Sequence, residues 1–201
     1  NTTLDAATVI TLDTTTAGFD SNWIVSLTVD AQGDLWFTDT WDWAVSRITD
    51  PGSLVGAVSG YKATLRLQSV DGINPELSDI RNPVSVAIDA DGNLYVGNRG
   101  RDKVARFDGA ASLTGDYLGG ARSADAMLAV GLTNAPLVAL ASDGALWVGS
   151  SGPGDLSQLV RVTGQAAGSG EVDLTPTKQF GWAPGNSNAY HEAGGMTFHV
   201  R

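Results

Sequence analysis

The chain has no cysteine among its 201 residues, so neither disulfides nor thiolate metal sites can staple it and a packed core must hold it. It is short of positive charge. Twelve Lys and Arg against 22 Asp and Glu leave a formal net charge of -10, which repels a phosphate backbone and excludes nucleic acid as the expected partner. No apolar run approaches the roughly 18 to 20 residues that cross a bilayer, so no membrane span is expected. No ten-residue stretch keeps a period of about 3.6, which excludes a helical fold. The N-terminal run NTTLDAATV has neither an initiator Met nor the basic-then-apolar order of a signal peptide. It reads as the start of a mature or excised piece, from a secreted product or a longer protein.

What is present is a repeat. DAQGDLWFTD (30–39), DADGNLYVGN (89–98) and ASDGALWVGS (141–150) share Gly, then Leu, then an aromatic and an apolar residue. IVSLTVD, PVSVAID and APLVALA precede them, and AVSRI, KVARF and QLVRV follow, each with an arginine: Arg47, Arg106 and Arg161. The linkers echo one another more weakly, 50–67 against 108–125. Acidic residues around glycine also suggest a calcium loop. The presumed ligand positions are not kept, however: Asp30, Gln32 and Asp34 in one unit become Ala141, Asp143 and Ala145 in another. Gly with an acidic cap is what a tight hairpin requires, because Gly takes positive φ without steric penalty.

Short β-branched and aromatic runs between Gly, Asp and Asn turns give an all-β chain, and four such strands per unit of about 50 residues fit a blade of a β-propeller. The expected strands are 23–29, 34–38, 44–49 and 63–68 in the first unit. They are 84–88, 93–97, 104–107 and 126–130 in the second, and 137–141, 145–149, 159–162 and 177–182 in the third. The whole is read as one propeller domain or fragment of four-stranded antiparallel blades, part of a six- or seven-bladed ring: a partial blade 1–20, blades 21–80, 81–132 and 133–190, and a partial blade 191–201. The strand at 7–13 sits where the outermost strand of a previous blade would lie, and 194–200 looks like another innermost strand. Both are expected to pair with a second chain or a remainder that completes the ring.

The segment PVSVAIDADGNLYVGNRGRDKVARF (83–107) resembles the NHL-type propeller repeat, whose unit runs from a Pro-led strand through Gly-x-Leu-Tyr-Val to Val-x-Arg-Phe. Unit one departs with Ile24 for Pro. Unit three departs with Ala141 for Asp and three extra residues in the loop after Ser150. Propellers of this kind include scaffold modules, cell-surface repeat proteins, lactonases of the gluconolactonase type, and lyases with a Trp-Phe-Thr run like Trp36-Phe37-Thr38. The resemblance therefore implies an extracellular, cell-surface or periplasmic module that binds a protein or carbohydrate without catalysis and without a cofactor. The alternative it implies is a metal-dependent hydrolase, or a propeller lyase.

By the same analogy one axial face collects the candidate ligand site. Unit one contributes Asn22, Trp23, Asp39, Trp41 and Asp42, and unit two Arg81, Asn82, Asn98, Arg99, Arg101 and Asp102. Asn134, Ser150, His191 and Glu192 follow further along the chain. Under the hydrolase alternative, Asp39, Asn98 and His191 or Glu192 would hold a divalent cation such as Ca2+, since carboxylate and amide oxygens suit that ion. Under the lyase alternative, His191 would be the base. The plainer reading makes Asp39 and Asn98 turn caps and His191 a surface residue. Trp41 and Trp43 alternate in TDTWDWAV, which favours one ring pointing outward to stack on a sugar or grip a peptide. Trp36, Tyr95 and Trp147 recur and are expected between blades, and the arginine series is expected to pair neighbouring blades. The Gly-rich loop after Ser150 has no Lys-Ser/Thr and no following helix, so it is not a phosphate cradle.

Overall fold

The computed structural model describes residues 11–12, 23–53, 57–58, 63–68, 79–117, 121–132, 137–150 and 158–181. The strands run in chain order β1 (Thr11–Leu12), β2 (Ile24–Val29), β3 (Leu35–Asp39), β4 (Ala44–Ile48), β5 (Ala57–Val58) and β6 (Leu65–Gln68). The second unit supplies β7 (Pro83–Ile88), β8 (Leu94–Asn98), β9 (Lys103–Phe107), β10 (Gly115–Tyr117) and β11 (Ala126–Ala129). The third supplies β12 (Leu137–Leu140), β13 (Leu146–Gly149), β14 (Gln158–Val162), β15 (Gly170–Asp173) and β16 (Lys178–Gly181).

The glycine of each repeat makes the first hairpin. Gly33, Gly92 and Gly144 have φ of +87°, +81° and +78°, a region other residues enter only with strain. The acid ahead of the glycine clamps the turn. Asp89 Oδ1 accepts Asp91 N at 3.0 Å and Asn93 N at 2.8 Å, and its Oδ2 accepts the Tyr95 hydroxyl at 3.1 Å. Asp30 does the same for Gln32 N, Asp34 N and the Trp36 indole. The carboxylates thus face their own backbone and the repeat's aromatic, as a hairpin cap does. In unit three, where Ala141 cannot cap, Asp143 accepts Ala145 N instead.

Each unit folds into four antiparallel strands, in the orders β2-β3-β4-β6, β7-β8-β9-β11 and β12-β13-β14-β16. Two of the sheets gain a fifth strand. The linker of the following unit runs back along the rim, so β10 pairs in parallel with β6, and β15 with β11. This satisfies backbone groups that an outer strand would otherwise leave open. β1 and β5 stand in the same relation, a linker strand parallel to an outer strand. One edge of Thr11–Leu12 is thus taken by Ala57–Val58 of the same chain, and the expected second chain or remainder would meet the other edge. The C-terminal strand expected at 194–200 lies outside the described residues.

The core lies between sheets. Because strand side chains alternate faces, Leu94 and Val96 of β8 point to unit one while Tyr95 points to unit three. Trp36, Val45, Leu65 and Leu67 pack on Val86, Leu94, Val96 and Phe107. Tyr95, Val104 and Leu128 pack on Val138, Leu146, Val148 and Val160. Each such side chain, fully buried, contributes about 1.5–3 kcal/mol. The inner strands adjoin as well, β7 lying against both β2 and β12. The result is a propeller segment: antiparallel sheets stacked face to face with their inner strands side by side.

Two of the three repeated arginines, Arg47 and Arg106, tie these faces together as expected, while Arg161 turns to its own sheet. Arg47 donates to the carbonyls of Ala111 and, at 2.7 Å, Leu113, both in the linker of the next unit. Arg106 donates to Gln165 O at 2.6 Å, Ala167 O at 3.2 Å and Gly168 O at 2.7 Å, and is held from the other side by Asp108 at 2.6 and 3.0 Å. A serine stitches the inner strands. Ser85 Oγ accepts Val138 N at 2.9 Å, and Ser26 Oγ takes the same position toward Val86 N at 3.4 Å.

Candidate functional site

The four-residue tips that follow β3 and β8 share one edge of the sheets. Thr40, Trp41, Asp42 and Trp43 form the first, and Arg99, Gly100, Arg101 and Asp102 the second. Each closes on a residue in the left-handed region, Trp43 at φ +50° and Asp102 at φ +53°; Asn82, ahead of β7, has φ +47°. For a bulky Trp that conformation costs about 1–2 kcal/mol, so the surrounding contacts must hold it.

Arg81 joins the two tips. Its guanidinium lies 5.9 Å from the centre of the Trp43 ring, a cation–π contact, and its Nη1 donates to Gly100 O at 3.3 Å. Its stem runs so close to Gly100 that a Cβ there would sit 2.6 Å from Arg81 Cγ, so a larger residue at this point would push the Arg81 side chain aside. Thr40 Oγ1 donates to Pro83 O at 2.5 Å and fastens the first tip to the inner strand of the neighbouring sheet. Arg99 N and Gly100 N donate to the carbonyls of Asn82 and Arg81.

Below this surface the candidate polar residues are built into the scaffold. Asn98 is fully buried; its Oδ1 accepts Arg81 N at 3.1 Å and its Nδ2 donates to Asp79 O at 2.8 Å, which fixes the crossing segment 79–82. Asp39, also fully buried, accepts Asp42 N at 3.3 Å and lies 3.9 Å from Arg66 Nη2. Arg66 Nη2 donates to Asp42 at 2.9 Å, and Gln68 Nε2 donates to Asp42 O. Ser150 Oγ accepts Gln158 N at 3.2 Å. Arg101 N donates to Asn98 O at 3.3 Å. The Lys103 ammonium, by hydrogen bond and charge, holds the Glu171 carboxyl below the usual carboxylate range, and the charge of Arg101 adds to that.

What stands outward is aromatic and cationic. Trp41 is 67% exposed on a tip braced through Thr40 and Trp43, Trp23 is also exposed, and Arg99 is exposed on the neighbouring tip. The arrangement offers a flat ring on a fixed support with guanidinium groups nearby, which suits stacking and hydrogen bonding to a ligand. Among the described residues no three His, Asp or Glu side chains stand together as a metal-binding group. Asn22, Asn134, His191 and Glu192 lie outside the described residues. The sequence reading missed two participants, Arg66 and the Trp43–Arg81 stack. Arg66 sits between Leu65 and Leu67 in a strand, and only its charge at an otherwise apolar position hinted at a buried partner.

No protein-family model matches the chain, and no curated protein matches it. Among solved structures it is similar to a catalytically inactive virginiamycin B lyase from Staphylococcus aureus crystallised with quinupristin, at 16% identity and a TM-score of 0.46, over 72% of this chain and 39% of that one. It is also similar to hydrazine synthase from Kuenenia stuttgartiensis, at 17% identity and a TM-score of 0.49, over 81% of this chain and 38% of that one. The chain spans about two fifths of the length of either structure. The class rests on the protein's own sheets: it is an all-β propeller module.

Proposed function

We propose that this propeller, built of NHL-like repeats, is a non-catalytic module of an extracellular, cell-surface or periplasmic protein that binds a protein or carbohydrate ligand with the edge carrying Trp41. The observation that carries the reading is an indole held two-thirds exposed on a tip whose backbone is pinned by Thr40, Trp43 and Arg81. A loop normally loses backbone freedom when it binds, and a braced tip reduces that cost. Asp39 and Asn98, buried beneath it, and Asp42 on the tip itself serve backbone groups and Arg66, which supports a scaffolding role for all three.

The test is binding of the 201-residue chain to arrayed oligosaccharides and peptides, compared with Trp41→Ala. The reading expects saturable binding to at least one of the two sets and a loss of about tenfold or more in the variant, the size typical of a stacked aromatic anchor. Binding that Trp41→Ala leaves unchanged would place the ligand elsewhere.

A further inference from the structure

The two faces of the first sheet differ. The face toward unit two is buried, with Trp36, Val45 and Leu67 at 0–1% exposure. On the other face β2 turns Ile24, Leu27 and Val29 to solvent, Leu27 being 65% exposed. Their counterparts in β7 are Pro83, Val86 and Ile88, of which Val86 is 4% exposed because unit one covers it. The bareness is confined to the inner strand. Farther out on the same face Phe37 and Ile48 are buried, each at 2%.

From this patch and the β1–β5 pair we infer that the bare face of β2 is a seat for three antiparallel strands of the same repeat, which complete a sheet whose fourth strand is Thr11–Leu12. The linker rule leads there. At both junctions inside the chain a linker strand lies parallel to the outermost strand of the preceding sheet, β10 on β6 and β15 on β11. β5 is the linker strand of unit one and lies parallel to β1, so β1 holds the outermost position of a sheet that precedes unit one. The inner three positions of that sheet are the ones that face β2. The junctions also define the occupant's chemistry: an aromatic on its second strand to meet Leu27, as Trp36 meets the Val86 side, and an arginine on its third strand aimed at the turn Pro51–Ser53. The described sheets of a second copy do not fit, because β6, β11 and β16 already fill their fourth positions, where Thr11–Leu12 sits. An exposed apolar strand face of this kind marks an association surface.

The test compares the 201-residue chain with one lengthened by a copy of residues 81–113 joined ahead of Asn1, which supplies three repeat strands to the seat. The readouts are binding of a hydrophobic fluorescent dye, amide exchange in β2, and mass in solution. The expected result is dye binding by the unlengthened monomer, its loss on lengthening, and slowing of β2 exchange by about tenfold or more. Leu27→Asp in the lengthened chain restores dye binding. Undiminished dye binding in a folded lengthened chain overturns the inference. Should the lengthened chain not fold, the unlengthened one still decides. There, Leu27→Asp is expected to weaken dye binding without lowering the melting temperature, and a melting temperature that falls as it does for Val86→Asp overturns it. A concentration-dependent dimer that hides the patch also overturns it, since the seat would then take a second copy.

Discussion

Arg106 and Arg161 hold the same place on the third strand of their sheets, and their surroundings differ. Arg106 is buried, with three linker carbonyls of the next unit on one side and Asp108 on the other. Arg161 is partly exposed and turns to its own sheet, to Asp143 at 2.5 Å and the Thr177 hydroxyl at 3.3 Å. The residue type is the same, so the neighbouring linker decides whether the guanidinium becomes a bolt between sheets or a surface ion pair. The stability of this fold is therefore concentrated at its junctions.

Removing the bolt should have the largest effect. Arg106→Ala removes the hydrogen bonds of a buried guanidinium and leaves the carbonyl of buried Gln165 without its donor, at an expected cost of about 3 kcal/mol, measured by urea unfolding. Glycine substitutions sharpen the contrast between the first and second hairpins. Gly33→Ala meets only the left-handed backbone penalty, about 1–2 kcal/mol, since nothing lies within 4 Å of the new Cβ. Gly92→Ala adds a contact of 2.8 Å with the Ala111 Cβ in the linker, for a further cost of about 1–3 kcal/mol by the same measurement.

A pH titration probes the second junction from inside. Burial first, then the Asp89 carboxylate, raise the Tyr95 phenol above its ordinary value of 10.0. The neutral phenol is the folded form, so its contribution is complete below pH 10 and falls as pH rises above 10 toward the higher folded value. The stability difference between the wild type and Tyr95→Phe should therefore shrink above pH 10, as followed by melting temperature against pH. The smallest effect is expected at the exposed end. Arg161→Ala should leave the urea midpoint nearly unchanged, because an exposed ion pair contributes little.

The strands nearest the repeat were legible because Gly, Leu and an aromatic mark both the turn and the two faces: Leu94 one way, Tyr95 the other. β10 and β15 were not. GDY and GEVD are short and polar, and they become strands only because a neighbouring outer edge, β6 or β11, offers backbone groups to pair with. Trp41 could be singled out from its alternation with Trp43. The left-handed backbone at Trp43 could not, since nothing in TWDW sets that conformation apart from Arg81 lying over the ring. Arg106 could be assigned to a junction from its recurrence, but its acceptors are main-chain carbonyls, which leave no mark in a sequence.

Amide hydrogen exchange on the 201-residue chain compares the two inner strands directly. β2 and β7 have equivalent sequences and the same hairpin partners, and differ in that sheets cover β7 on both faces and β2 on one. If junctions carry the stability, β7 amides exchange only by global unfolding while β2 amides exchange by cheaper local opening, about tenfold faster or more. Equal protection of β2 and β7 would contradict that claim.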